Sequence, residues 1–234
     1  MDLLYILNSS STENNEEIKY SLRTVEKFCK GVDRVFITGV CPNFIDKKKV
    51  IFLSCDDPYC RNLNHFYKVY DTFIATDISD NCLLMYDDIF FCRDVNINKY
   101  PWFCQGELPK EPKNSYEKGL TNARDWLSER GMPTLNFATH TPCVYNRLLF
   151  CGLHSIFNAI REDITGMSVR AIYGNQFADN YIRIKEDVKI RTNRMDLDGV
   201  AKQTRCFSTG DFTYNTAKQW LHDNFMWRSK WEKW

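Results

Sequence analysis

The stretch Leu83-Leu84-Met85-Tyr86-Asp87-Asp88-Ile89-Phe90-Phe91 holds the residues best suited to chemistry. An apolar run ends in two adjacent carboxylates, and a second apolar run follows at once. In open α/β sheets ligands bind beyond the carboxyl ends of the strands, so an acidic pair at a strand end stands where chemistry is expected. Two carboxylates beside a diphosphate can hold Mg2+ or Mn2+, which neutralises the phosphates and a departing group. The same pair also suits a plain turn, because Asp is a preferred turn residue. Alone, the pair leaves both readings open.

Positioning such a pair requires a sheet. Residues 3–7 form a continuous apolar run, as expected for a strand buried on both faces. After a polar segment, Ile18, Leu22, Val25 and Cys29 recur at helical spacing. Ser11 or Thr12 is placed to cap that helix, and Glu13, Glu16 and Glu17 fall at its positive end. Residues 35–37, 50–53 and 83–86 read as further strands and 64–78 as a helix. Strands separated by helices predict an α/β fold with a mainly parallel sheet and right-handed crossovers. Residues 105–118, with two prolines and many charges, predict an exposed loop. Helices are expected beyond it over 120–130, 144–163, 174–182 and 216–228. With no internal repeat, one domain with a helical C-terminal part is the simplest organisation.

At 234 residues the chain is long enough to bury a substantial core. With 44% apolar and 26% charged residues it reads as a soluble globular protein and not a disordered one. The net charge of +1 disfavours a broad nucleic-acid footprint. The first apolar run ends at Leu7 with no basic residue before it, too short for a signal peptide. No stretch approaches the roughly 18 apolar residues of a membrane span. The expectation is therefore a cytoplasmic protein whose ten cysteines are free thiols. Spacings such as Cys55-x4-Cys60 do not form the paired CxxC units of structural zinc.

Four blocks of the chain, in order, resemble the Stealth family of sugar-1-phosphate transferases. Met1-Asp2-Leu3-Leu4-Tyr5-Ile6-Leu7-Asn8 resembles the first. Glu16-Glu17-Ile18-Lys19-Tyr20-Ser21-Leu22-Arg23-Thr24-Val25-Glu26 resembles the family's ELRYSLRSIE and leads on to the Asp87-Asp88 turn. Ala138-Thr139-His140-Thr141-Pro142, with Arg147, resembles the HxP block, and Ser168-Val169-Arg170 follows at the spacing of the family's catalytic arginine. Cys206-Phe207-Ser208-Thr209-Gly210-Asp211 weakly resembles the final CLND block. The departures are concrete. The Trp and Gly that usually flank the first block's Asn are missing, NDD is Tyr86-Asp87-Asp88, and Asp71 is the nearest counterpart of the acidic residue in the preceding helix.

The resemblance implies a GT-A-like fold, with residues 1–104 as the nucleotide-sugar-binding half and 119–234 as the acceptor and catalytic half. It implies Mn2+ or Mg2+ held by Asp87, Asp88 and Asp211, with Asp88, His140 and Arg170 catalytic. His140 would deprotonate the acceptor hydroxyl or brace the phosphate, and Arg170 would fork onto phosphate oxygens. Arg147 could grip phosphate in the same way, and Arg23 would lie at the donor site. Asn8, ending the first strand, is placed to touch the donor's uracil or ribose. Without the resemblance, His140 reads as a structural histidine, Arg170 as a surface arginine and Asn8 as a turn residue. The tail from Trp220 to Trp234 interleaves aromatics and bases. It suits an acceptor platform, or a terminal helix docking Trp220, Phe225 and Trp227 in the core. The expected reaction moves a sugar or sugar-1-phosphate from a nucleotide sugar to a hydroxyl. That hydroxyl belongs to a saccharide or, in the second reading, to hydroxylated DNA bases. The rival class is a non-catalytic carbohydrate- or nucleotide-binding module.

Overall fold

Strand β1 (Asp2–Leu7) is buried along its whole length because both faces are covered. The structure is a computed structural model describing residues 1–9, 15–192 and 195–233, with only the backbone of Asp211. Leu3, Tyr5 and Leu7 pack with Ile18, Leu22 and Val25 of α1 (Glu17–Phe28). That spacing gives one helical face. The expected caps Ser11 and Thr12, and the acidic Glu13, lie outside the described residues. The cap position is Glu16, whose carboxylate pairs with Lys19 and Lys218 instead of capping.

After α1 come the short β2 (Cys29–Lys30), then β3 (Val35–Gly39), β4 (Ile51–Ser54), α2 (Arg61–Ala75) and β5 (Asn81–Met85). Leu4 and Ile6, on the other face of β1, pack with Leu63, Phe66, Val69 and Phe73 of α2. Gly39 ends β3 at φ +112, where an added Cβ would lie 2.0 Å from the Leu7 carbonyl, so only glycine lets the two strand ends approach. Short strands β6 (Ile89–Phe91), β7 (Val95–Asn96) and β8 (Trp102–Cys104) lead into the second half. Residues 105–118 are less of a free loop than expected. Leu108 is buried, and Asn114 caps α3 (Ser115–Ser128) by accepting from the Glu117 N–H.

The helix expected over 144–163 is instead a strand and two short helices: β9 (Cys143–Asn146), α4 (Arg147–Cys151) and α5 (His154–Ala159). Pairing with β5 satisfies the β9 backbone groups that face it, and the Asn146 side chain then caps α4. The next expected helix starts earlier, as α6 (Val169–Phe177) capped by Ser168, and residues 181–183 leave it as β10 (Tyr181–Arg183). The chain ends with α7 (Leu197–Gln203), β11 (Cys206–Ser208) and α8 (Asp211–Asn224).

The central sheet has the order β4-β3-β1-β5-β9, parallel except for β9. β11 pairs antiparallel with β6 and β10 parallel with β8. An aromatic layer joins α2 to the second half, with Phe66 stacked on Phe150 and Phe157 at 5.2 and 4.4 Å. The tail folds back on α1, with two of the expected trio docked: Phe225 in the core and Trp220 against Phe207 and Phe225. Trp231 and Phe225 are buried, whereas Trp227 is 84% exposed. All ten cysteines are free, and no helix among the described residues is long and apolar enough to cross a membrane.

Candidate functional site

β1 and β5 are parallel neighbours, with Tyr5 opposite Met85, so Asn8 and the turn 86–88 leave the same edge of the sheet. The Asp88 carbonyl accepts from Thr209 N–H at 3.0 Å, and Ser208 Oγ donates to Asp88 Oδ2 at 2.9 Å. β11 is flanked by residues 188–190: Ser208 N–H donates to the Val188 carbonyl and Ile190 N–H to the Ser208 carbonyl. This lacing sets Asp187 and Lys189 at the acidic turn.

Asp187 takes hold of His140. One carboxylate oxygen accepts the His140 backbone N–H at 3.1 Å, and the other lies 2.5 Å from Nδ1. Burial alone would raise the Asp187 carboxyl; the His140 hydrogen bond, His140 charge and Arg191 hold it below its ordinary value. With Nδ1 engaged, Nε2 is the nitrogen free to exchange a proton. Burial raises the Asp88 carboxyl, and Lys189, the Ser208 hydroxyl, His140 and Arg61 offset this only in part. Asp88 is thus a buried carboxylate whose cationic neighbours do not fully offset its loss of water.

Arg170, in the first turn of α6, is 6% exposed. It donates to the Thr141 carbonyl at 2.6 Å and stands 5.9 Å from the Tyr86 ring centroid, and its Nε has no hydrogen-bond partner. The Tyr86 hydroxyl, one residue before the acidic pair, is paired with His65 Nδ1 at 3.0 Å, and Tyr145 reaches Nε2 at 3.4 Å. Burial, with Arg170 and Arg61, lowers His65 to about 3, so the imidazole is neutral.

His140 and Arg170 therefore both flank the acidic turn, Arg170 beside Tyr86 and His140 within electrostatic reach of Asp88. Asn8 lies along the same edge, its Oδ1 accepting from Lys68 Nζ at 3.1 Å; Lys68 also binds the Leu7 carbonyl and Asp57. Asp211 begins α8, two residues beyond Thr209, and its side chain lies outside the described residues. Two expectations are corrected. Arg147 sits at the amino end of β5, where its guanidinium serves the carbonyls of Phe73 and Ile78 and its backbone N–H bonds to Asp80. It caps the end of α2, at the far end of the sheet from the turn. Arg23 is 9% exposed and clamps the tail, making two 2.8 Å bonds to Glu232 and one to the Phe225 carbonyl. Asp71 lies apart, lining a hollow on α2.

Asp87 and Asp88 are adjacent carboxylates at the carboxyl edge of the sheet, a donor chemistry that suits a hard divalent cation. No cluster of three potential ligands stands among the described residues. A cation here needs substrate oxygens to complete its shell, as Mg2+ sites with one or two carboxylates do. Asp187, Lys189, Ser208, His65 and Arg61 also stand around the turn, and none of them is a candidate by its sequence pattern alone. Only the weak CLND-like match touched Ser208, and Lys185-Glu186-Asp187-Val188-Lys189 reads as a solvated charge run.

No protein-family profile matches the chain. Over 99 residues it is 30% identical to the human N-acetylglucosamine-1-phosphotransferase subunits alpha/beta, covering 38% of this chain and 8% of that protein. The chain thus matches less than a tenth of that relative's length. Among solved structures it superposes on the galactosyltransferase LgtC in complex with donor and acceptor sugar analogs, over 98% of both chains, at TM-score 0.55 and 11% identity. An active-site mutant of LgtC gives 0.50 and 9%, again over 98% of both. The fold is that of the GT-A glycosyltransferases. The expected mainly parallel sheet with flanking helices is borne out.

Proposed function

We propose that the chain is a nucleotide-sugar-dependent transferase that moves a sugar or sugar-1-phosphate to an acceptor hydroxyl. The observation that carries this is the meeting of the His140–Asp187 pair, buried Arg170 and the acidic turn at the carboxyl edge of a GT-A sheet. The donor would lie along the ends of β1 and β5, with Asn8 toward its nucleoside. Asp87 and Asp88, with Asp211 as a further candidate, would hold Mn2+ or Mg2+, which when bound supplies positive charge to the diphosphate.

The chain's own residues supply the rest. Arg170 and Lys189 place cations where negative charge gathers on the leaving group, which is where preorganised charge lowers a barrier most. His140 Nε2 takes the proton of the acceptor hydroxyl. Asp187 fixes the tautomer and stabilises the imidazolium that forms. Two bond changes suit these groups. If the hydroxyl oxygen bonds to the anomeric carbon, the nucleoside diphosphate leaves. If it bonds to the β-phosphorus, the bridging P–O bond breaks and a nucleoside monophosphate leaves. The sequence likeness to the phosphotransferase favours the second, with a saccharide the preferred acceptor.

A thermal-shift screen with UDP-, GDP- and CMP-sugars, with and without Mn2+, tests the reading, since a ligand of the native state raises the melting temperature. Metal-dependent stabilisation by one donor is expected. No shift with any donor would contradict it and favour a module for other ligands.

A further inference from the structure

A cavity of about 360 Å3 lies between α2, the loop after β4 and α5, within the roughly 300–1,000 Å3 range of small-ligand sites. Tyr59, Tyr67, Tyr70 and His154 wall it. The rings lock each other: Tyr70 stacks on His154 at 4.6 Å, and Tyr59 meets Tyr67 at 4.9 Å. Arg161 spans both of the latter rings, 5.0 and 5.8 Å from their centroids, and donates to the Tyr59 hydroxyl.

One polar group in this wall is poorly matched. The Asp71 carboxylate accepts a hydrogen bond only from the Cys55 thiol, at 3.9 Å, with no ion pair among the described residues, and burial raises it against the smaller pull of that thiol and of His154. The ammonium of Lys68 is already committed to Asp57 and to the end of β1. An anionic ligand would thus face the carboxylates of Asp56 and Asp71 with Arg161 as the one cation not paired to a carboxylate among the lining residues. A neutral ring bearing hydroxyls meets no such penalty. Its C–H faces pack on aromatic rings, while each hydroxyl both donates and accepts, matching an acceptor-only carboxylate and a donor-only guanidinium. A shallow second hollow formed by residues 158–163 shares Asn158 and Arg161 with the cavity.

We infer that this cavity is a saccharide-binding subsite distinct from the acidic turn, holding a neutral oligosaccharide against the tyrosines with its hydroxyls bridging Asp71 and Arg161. The subsite stands whether or not the chain transfers sugars. Saturation-transfer NMR on the whole chain, without nucleotide or metal, tests it with maltotriose, cellotriose, chitotriose and N-acetyllactosamine as probes and uridine monophosphate as the anionic control. At least one oligosaccharide should bind at millimolar concentration. Its affinity should fall at least tenfold in Arg161→Ala and in Asp71→Ala and stay unchanged in Asp88→Asn. The Arg161 side chain is exposed, so that variant should melt as the parent does. Absence of binding by all four probes, binding that survives both cavity substitutions, or loss in Asp88→Asn would overturn the inference. So would uridine monophosphate binding that depends on Arg161.

Discussion

Replacing Asp187 by Asn leaves a side chain of the same shape that can still accept the His140 backbone N–H, but it removes the negative charge from Nδ1. Asp187 is 9% exposed while Arg191 beyond it is 67% exposed, so the lost charge is largely shielded from water. A hydrogen bond to a charged group contributes about 1.5–3 kcal/mol. If that contribution is realised as His140 becomes cationic, kcat falls roughly ten- to hundred-fold, since about 1.4 kcal/mol is tenfold in rate. An amide that presents its NH2 to Nδ1 would force the wrong tautomer and push the loss toward about 10^4-fold. Donor KM should change less than about threefold, because the pair acts on the acceptor proton and not on donor binding. Steady-state kinetics with a stabilising donor, beside thermal melts, checks this. A correctly folded variant with unchanged kcat, or one altered only in donor KM, would refute the dyad.

Three further outcomes follow from the same geometry. His65 is held at about 3 against 6.5 unfolded, so the unfolded chain protonates first; stability is full above about pH 6.5 and declines below it, by up to about 1.4 kcal/mol per pH unit. Urea unfolding between pH 7 and 4.5 should show that slope and His65→Phe should flatten it; identical slopes would contradict the assignment. Asp88→Asn should raise the melting temperature without metal, by removing a buried charge that burial disfavours while keeping an acceptor for Ser208, and should abolish turnover and any Mn2+-dependent shift; a lower metal-free melting temperature would oppose it. Arg23→Ala strands Glu232, whose side chain is 3% exposed, and should cost about 3–5 kcal/mol in urea unfolding while leaving donor binding intact; a loss under about 1 kcal/mol would deny the clamp.

The parallel strands were legible because burial on both faces writes a continuous apolar run, and the acidic turn because two carboxylates interrupt one. β9 was hidden, since residues 143–146 carry apolar spacing that suits a helix and become a strand only by pairing with residues 81–84. Arginines misled for a related reason. The side chain that forks onto phosphate also serves carbonyls at a helix end, as Arg147 does, or a carboxylate 209 positions away, as Arg23 does. Which role each takes is set by tertiary contacts that local pattern does not encode. His140 was found through its flanking block, whereas Asp187 was invisible because a buried acid inside a charged run looks like any solvated one.

Mass spectrometry of acceptor and released nucleotide shows whether the acidic turn, His140 and Arg170 form one transfer site. The parent chain should be compared with Asp88→Asn and His140→Ala, using a stabilising donor and a saccharide acceptor. The parent should give an enlarged acceptor with stoichiometric release of nucleoside mono- or diphosphate, Asp88→Asn none, and His140→Ala a kcat depressed far more than donor binding. Unchanged product formation by both variants would contradict that single site.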